Sequence, residues 1–208
     1  MIEQFIAPTF LVLALAHWLA LLSPGQDFVL LVTQTLRFGH QRSQYAVFGI
    51  ALGNLLYIIL VIAVGAKLRD YPVVFNIIQW LGVVYLAWIG ANLLRAQPAN
   101  IHFTTTDVPQ EKRSKTFLLG LGSALLNPKN ALFYLSLMSS ILGDSATVFQ
   151  QVFAGLWMFL VVLIWDWLLV LWVARPMFRQ RVQRYLHWLE RVSGGIFISL
   201  AAVLAIWR

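Results

Sequence analysis

The stretch Ala20-Leu21-Leu22-Ser23-Pro24-Gly25-Gln26-Asp27-Phe28-Val29-Leu30-Leu31 places a proline, a glycine and an acid in the middle of an apolar run. That run extends from Phe5 to about Leu36, enough to cross a hydrocarbon core of roughly 30 Å. Proline inside a helix removes one backbone hydrogen bond and clashes with the preceding turn, costing about 3 kcal/mol. Gly25 adds backbone freedom. Asp27 within a span costs a further ~2.5–3.5 kcal/mol on insertion scales. A kink needs only the proline. An ionisable residue coupled to it points to a functional site; the competing reading is a kink with an internal salt bridge.

Working outward, the same device recurs. A block from Thr116 to Leu142 is interrupted at Asn127-Pro128-Lys129-Asn130, again with a proline beside a charge. Between and after the two lie uninterrupted apolar blocks: Gln44 to Ala66, Tyr71 to Leu94, Ala146 to Ala174, and Val192 to Trp207. In lipid each block must satisfy its own backbone groups, so helices follow. A β-barrel would show alternating segments of about ten residues, and these blocks are continuously apolar. The expected fold is an all-α polytopic membrane protein of six transmembrane helices. The chain divides as a single transmembrane domain, residues 1–208, with half one at 1–95, a polar linker at 96–115 and half two at 116–208. Three spans per half insert the halves in opposite directions, a 3+3 inverted repeat with broken helices one and four, the plan of many secondary transporters.

Composition agrees. Of 208 residues 60% are hydrophobic and 11% charged, with a mean hydropathy of +0.77, whereas soluble chains are about a quarter charged. The net charge of +7 does not indicate nucleic acid, because the basic residues lie between apolar blocks and not on one face. Arg37, Arg42, Arg95, Lys112, Arg113, Lys115, Arg175, Arg179, Arg181, Arg184 and Arg191 fall in the first, third and fifth loops; only Lys67, Arg69 and Arg208 fall opposite. The positive-inside rule then puts the linker in the cytoplasm and both termini outside, provided all six blocks span. Five spans would move one terminus across. The start, Met1-Ile2-Glu3-Gln4-Phe5, lacks the basic region of a signal peptide, so the first block is expected to be retained. Met177 to Arg191 reads either as an amphipathic surface helix or as an extension of helix six.

Chemically, a broken helix exposes N–H groups at one end and carbonyls at the other, suited to a carboxylate and an ammonium group respectively. A zwitterionic amino acid presents both. Asp27 is expected to bind the ammonium group or take up a proton, Lys129 to face the carboxylate, and Asn54 to complete the site. Asp166, between Trp165 and Trp167, reads equally as a proton relay or as a structural partner. His17, His40, His102 and His187 show no metal spacing, and no cofactor is expected. Gly49-x-x-x-Gly53 permits close helix contact. With no cysteine, thiol chemistry is excluded. No phosphate-binding loop or hydrolase motif is present, so neither ATP nor an evident enzyme chemistry powers the protein.

At these residues the chain resembles the LysE/RhtB family of bacterial amino-acid exporters. The resemblance rests on Ser23-Pro24-Gly25-Gln26-Asp27, Gly49 and Gly53, Leu81-Gly82 with Tyr85-Leu86 and Gly90, and Leu126-Asn127-Pro128-Lys129-Asn130-Ala131-Leu132-Phe133. It covers essentially the whole chain in order. Gln26 replaces the second proline of the family pattern Ser-Pro-Gly-Pro-Asp, which softens the break without moving the acid. The resemblance implies residence in the bacterial inner membrane. It also implies an exporter that is not an enzyme, with a substrate site at Ser23, Pro24, Gly25, Gln26, Asp27, Asn54, Asn127, Pro128 and Lys129. Asp27, in place of the asparagine of the lysine- and arginine-exporting branch, points to neutral substrates such as threonine, homoserine or leucine. Protons are the expected coupling partner, through Asp27 and Asp166, and a homo-oligomer is compatible with the sequence. The alternatives are export of basic amino acids or another small metabolite, or an intramembrane enzyme using Asp27 and Asp166 as a pair.

Overall fold

In a computed structural model of the chain, the residues described are 7, 9–23, 25–68, 71–95, 112–138 and 146–206. All regular structure among them is helical: α1 (Phe10–Leu22), α2 (Gln26–Phe38), α3 (His40–Leu68), α4 (Pro72–Leu94), α5 (Arg113–Leu125), α6 (Pro128–Ser136), α7 (Val148–Val173) and α8 (Pro176–Ile206). Two of these, α3 over His40–Val64 and α7, are long and apolar enough to cross a membrane, and α1 with α2 makes a third if the bent pair is one span. Shorter apolar helical stretches lie at Trp80–Leu94 and Arg191–Ile206.

Both interruptions are real breaks. The axis bends by 47° between α1 and α2, with Ser23 and Gly25 in extended backbone. The Gln26 side of the break therefore holds a full helix start without a second proline. In the second broken pair, Asn127 separates α5 from α6 and Pro128 occupies the first turn of α6, where its missing N–H is harmless. The 96–111 part of the linker and Pro24 lie outside the described residues. α5 begins at Arg113, ahead of the apolar block boundary, and α8 runs unbroken from Pro176, so the Met177 to Arg191 segment and the last apolar stretch form one helix.

The molecule is apolar outside and partly polar inside. Leu15 is 66% exposed and Trp88 60%, while Asn54, Thr116, Ser123 and Gln151 are buried. That inversion suits a lipid surround, in which exposed leucine costs nothing and polar groups must find partners inside.

The interior divides into two cores. One gathers Leu13 and Ala16 of α1, Ile58 of α3, Leu86 of α4, Phe133 and Tyr134 of α6, Met158 of α7 and Phe197 of α8. The other gathers Leu31 of α2, Val47 and Ile50 of α3, Ala124 of α5 and Val162, Leu169 and Val173 of α7. The first broken helix thus passes from core one to core two, and the second passes from core two to core one. α3 and α7 run through both.

Glycine sets the closest helix contacts. α3 packs most extensively on α5, and α4 on α8. A Cβ on Gly49 would overlap the Phe117 carbonyl oxygen and lie 2.6 Å from the Leu121 nitrogen; one on Gly120 would overlap the Ala46 carbonyl. In the other pair, Gly90 and Gly194 face each other, each Cβ position falling 2.8 or 2.6 Å from the other residue's carbonyl oxygen. Here backbone meets backbone, and no side chain can yield. Gly49→Ala is therefore expected to destabilise the protein by about 3 kcal/mol or more. Gly122→Ala, where a Cβ meets nothing within 4 Å, should be neutral or stabilising by up to ~1 kcal/mol. Thermal unfolding in detergent distinguishes the two, and equal midpoints would refute the close-contact account.

Candidate functional site

The two breaks meet between the two cores, and each supplies the partners the other lacks. Asp27, in the first turn of α2, accepts hydrogen bonds from Ser123 Oγ at 2.6 Å, Asn130 Nδ2 at 2.8 Å and Asn127 Nδ2 at 3.4 Å. All three donors come from the second broken helix. Conversely, Lys129 of α6 reaches the first broken helix, donating from Nζ to the carbonyl oxygens of Ser23 at 3.0 Å and Ala20 at 3.2 Å. Its side chain lies against Gly25, where a Cβ would sit 3.4 Å from Nζ.

Helix electrostatics explain this placement. The last carbonyls of a helix carry partial negative charge and the first N–H groups partial positive charge. Lys129 sits at the carbonyl end of α1 and Asp27 at the N–H end of α2. The remaining ends are also occupied. Asn127 caps α6, its Oδ1 accepting from the Lys129 backbone N–H at 3.0 Å. At the end of α5, the Leu125 carbonyl accepts from Tyr57 Oη of α3 at 2.5 Å and the Ala124 carbonyl from Asn130 Nδ2 at 3.4 Å.

These residues border a cavity of ≈ 60 Å³, room for about four to six waters at ~10–15 Å³ each. Ser23, Gly25, Asp27, Asn54, Asn127, Lys129 and Asp166 all line it. The sequence-predicted residues that do not are Gln26, which is exposed one step around α2 from the inward-facing Asp27, and two prolines: Pro24 lies outside the described residues, and Pro128 is described through its backbone alone. Asn54 donates to the Ile50 carbonyl at 2.9 Å, which holds its amide on the cavity side of α3.

Sequence reading passed over four contributors. Ser123 and Asn130 supply the two shortest bonds to Asp27, and His17 and Tyr134 line the wall. His17 is packed among Phe133, Tyr134 and Trp157, with ring centroids 6.2, 6.0 and 5.6 Å away. A serine among small residues or a histidine in an apolar helix carries no spacing signal. Asn130, three residues after Asn127 on α6, was part of the interrupted motif but had no partner to identify it.

The sequence matches the family described as LysE type translocator over residues 18–208. It is 26% identical over 210 residues to the threonine efflux protein of Escherichia coli strain K12, covering 96% of this chain and 98% of that one. The threonine efflux protein of Salmonella typhi is 28% identical over 212 residues at the same coverage. A leucine efflux protein of Klebsiella pneumoniae is 29% identical over 117 residues, 56% of this chain and 55% of that one. No solved structure matches the chain.

Lys129→Met keeps the aliphatic stem but leaves the Ala20 and Ser23 carbonyls without their charged donor. The expected loss is about 2 kcal/mol or more of stability, read as a lowered unfolding midpoint in detergent. A midpoint equal to wild type would show that the carbonyls of α1 do not depend on the ammonium group.

Proposed function

The chain belongs to the LysE type translocator family, a family of multi-pass membrane transporters, and from that premise we infer that it is a secondary exporter of small neutral amino acids driven by the proton gradient. The observation that carries this reading is the reciprocal satisfaction of the two breaks. Asp27 of the first is held by the second, and Lys129 of the second is held by the first, around one small cavity. A zwitterion brings one charge of each sign to a place already built from one charge of each sign. The named function of the full-length relatives, threonine efflux, supplies both the direction and the substrate class.

The family's membership of transporters sets aside an enzyme using Asp27 and Asp166.

The transport cycle follows from the arrangement. The chain crosses the membrane six times in two inverted halves, 1–95 and 116–208, with the 96–115 linker in the cytoplasm. Support for the inversion comes from the reversed order in which the two broken helices visit the two cores. Core two, built on α2 and α5, lies toward the cytoplasm; core one, built on α1 and α6, lies toward the outside. Opening to one side loosens one core while the other stays closed.

Purified protein reconstituted into vesicles should exchange external labelled threonine against internal threonine. Net threonine efflux should accelerate several-fold when the compartment receiving threonine is made acidic. Net efflux that ignores the pH gradient would overturn proton coupling. Absence of exchange with threonine, homoserine and leucine alike would overturn the neutral amino-acid assignment.

A further inference from the structure

The two acids of the cavity are in opposite situations. Asp27 has three donors, so most of its acceptor capacity is used inside the protein. Protonating it, or drawing an ammonium group to it, would displace bonds that join the two breaks. Asp166 of α7 is 6% exposed and lines the same cavity, yet among the described residues it makes no hydrogen bond or ion pair. An ionised carboxylate buried without a partner is costly, and that cost is removed by a proton or by a cationic ligand.

We propose that Asp166 is the ammonium subsite of the transporter, where the substrate's α-ammonium group and a proton exchange for one another, while Asp27 serves to hold the two broken helices together. The proposal rests on the amino-acid exporter reading and assigns its coupling step. In the empty cavity Asp166 carries a proton on one carboxyl oxygen. When the zwitterion enters, its –NH3⁺ takes the place of that proton beside the carboxylate, and one proton leaves to solvent. When the substrate leaves, one proton returns. Charge beside the Asp166 carboxyl is the same before and after, because the ammonium group takes over from the proton. The substrate's carboxylate adds one negative charge to the cavity, and Lys129 is the lysine that lines it.

The surroundings of Asp166 fit this role. The charged and titratable groups lining the cavity are Asp27 from α2, Lys129 and Tyr134 from α6, and His17 from α1; α3 contributes the neutral Asn54. Lys129 is engaged by the Ala20 and Ser23 carbonyls, with its ammonium group directed to the end of α1. Asp27 is fixed by its three donors. His17 is 1% exposed and its Nδ1 has no partner, so it offers no competing cation while neutral. Asp166 is then the acid whose bonding is left to the ligand.

The test uses purified full-length protein in detergent at neutral pH, with threonine as the probe and a pH-indicator dye in weak buffer. Wild type should be stabilised against thermal unfolding by threonine and should release about one proton per threonine bound. Asp166→Asn should fold, with a midpoint equal to or above that of wild type in the absence of ligand. It should bind threonine about tenfold or more weakly, as expected for loss of a charge-assisted contact, and release no proton. Asp166→Glu should restore release in part. Proton release and affinity unchanged in Asp166→Asn, or release lost in Asp27→Asn alone, would overturn the assignment and leave the exporter reading standing. If wild type neither is stabilised by threonine, homoserine or leucine nor exchanges them in vesicles, both fail together.

Discussion

A helix that stops inside a membrane leaves carbonyls at one end and N–H groups at the other, and no water is at hand to meet them. This protein stops two helices within its interior, and polar side chains gather around the four ends so created. Lys129, Asn127, Asn130 and Tyr57 each give or take a bond at one of them, and Asp27 supplies the charge at the fourth. The end of α1 takes its partner from α6 and the end of α5 takes one from α3, while Asn127, Asn130 and Asp27 serve ends of their own broken helix. The carbonyls of the first break therefore gain their charged donor only with the second in place. These bonds join the two halves of the chain alongside the α3–α5 and α4–α8 contacts.

The same requirement explains why a polar cavity is tolerated between two apolar cores. Side chains able to cap a helix end are polar by necessity, and bringing four ends together concentrates them. A void lined by Asn54, Asn127, Lys129 and two acids is the geometrical remainder of that concentration. On the exporter reading, binding chemistry and backbone satisfaction draw on neighbouring residues of one cavity, with Asp166 outside the set that serves the helix ends.

Much of this was legible in the sequence, because its strongest signals are local. Proline beside a charge in a long apolar block announces a break, and both breaks occur where Pro128 and the Ser23–Gly25 segment place them. Gly49 and Gly53 announced a close helix contact, and both face α5. What the sequence concealed were bonds between residues about a hundred positions apart, such as Ser123 to Asp27 and Lys129 to Ser23. The expectation that each break would offer its ends to a ligand was reasonable for a helix considered singly. With the two breaks facing each other, Lys129 occupies the carbonyl end of α1, while Asn127, Asn130 and Tyr57 occupy the ends of α5 and α6. Gln26 illustrates the smaller scale of the same limit: adjacent to Asp27 in sequence, it is exposed because one step along a helix turns a side chain about 100° away.

The glycine contacts join helices across the boundary between the two halves. α3, from the first half, lies backbone to backbone with α5 from the second; α4, from the first, lies so with α8 from the second. Surfaces in such contact neither slide nor part without losing their whole fit. The closely fitted pieces of this molecule are consequently not its two sequence halves; each joins a helix from one half to a helix from the other.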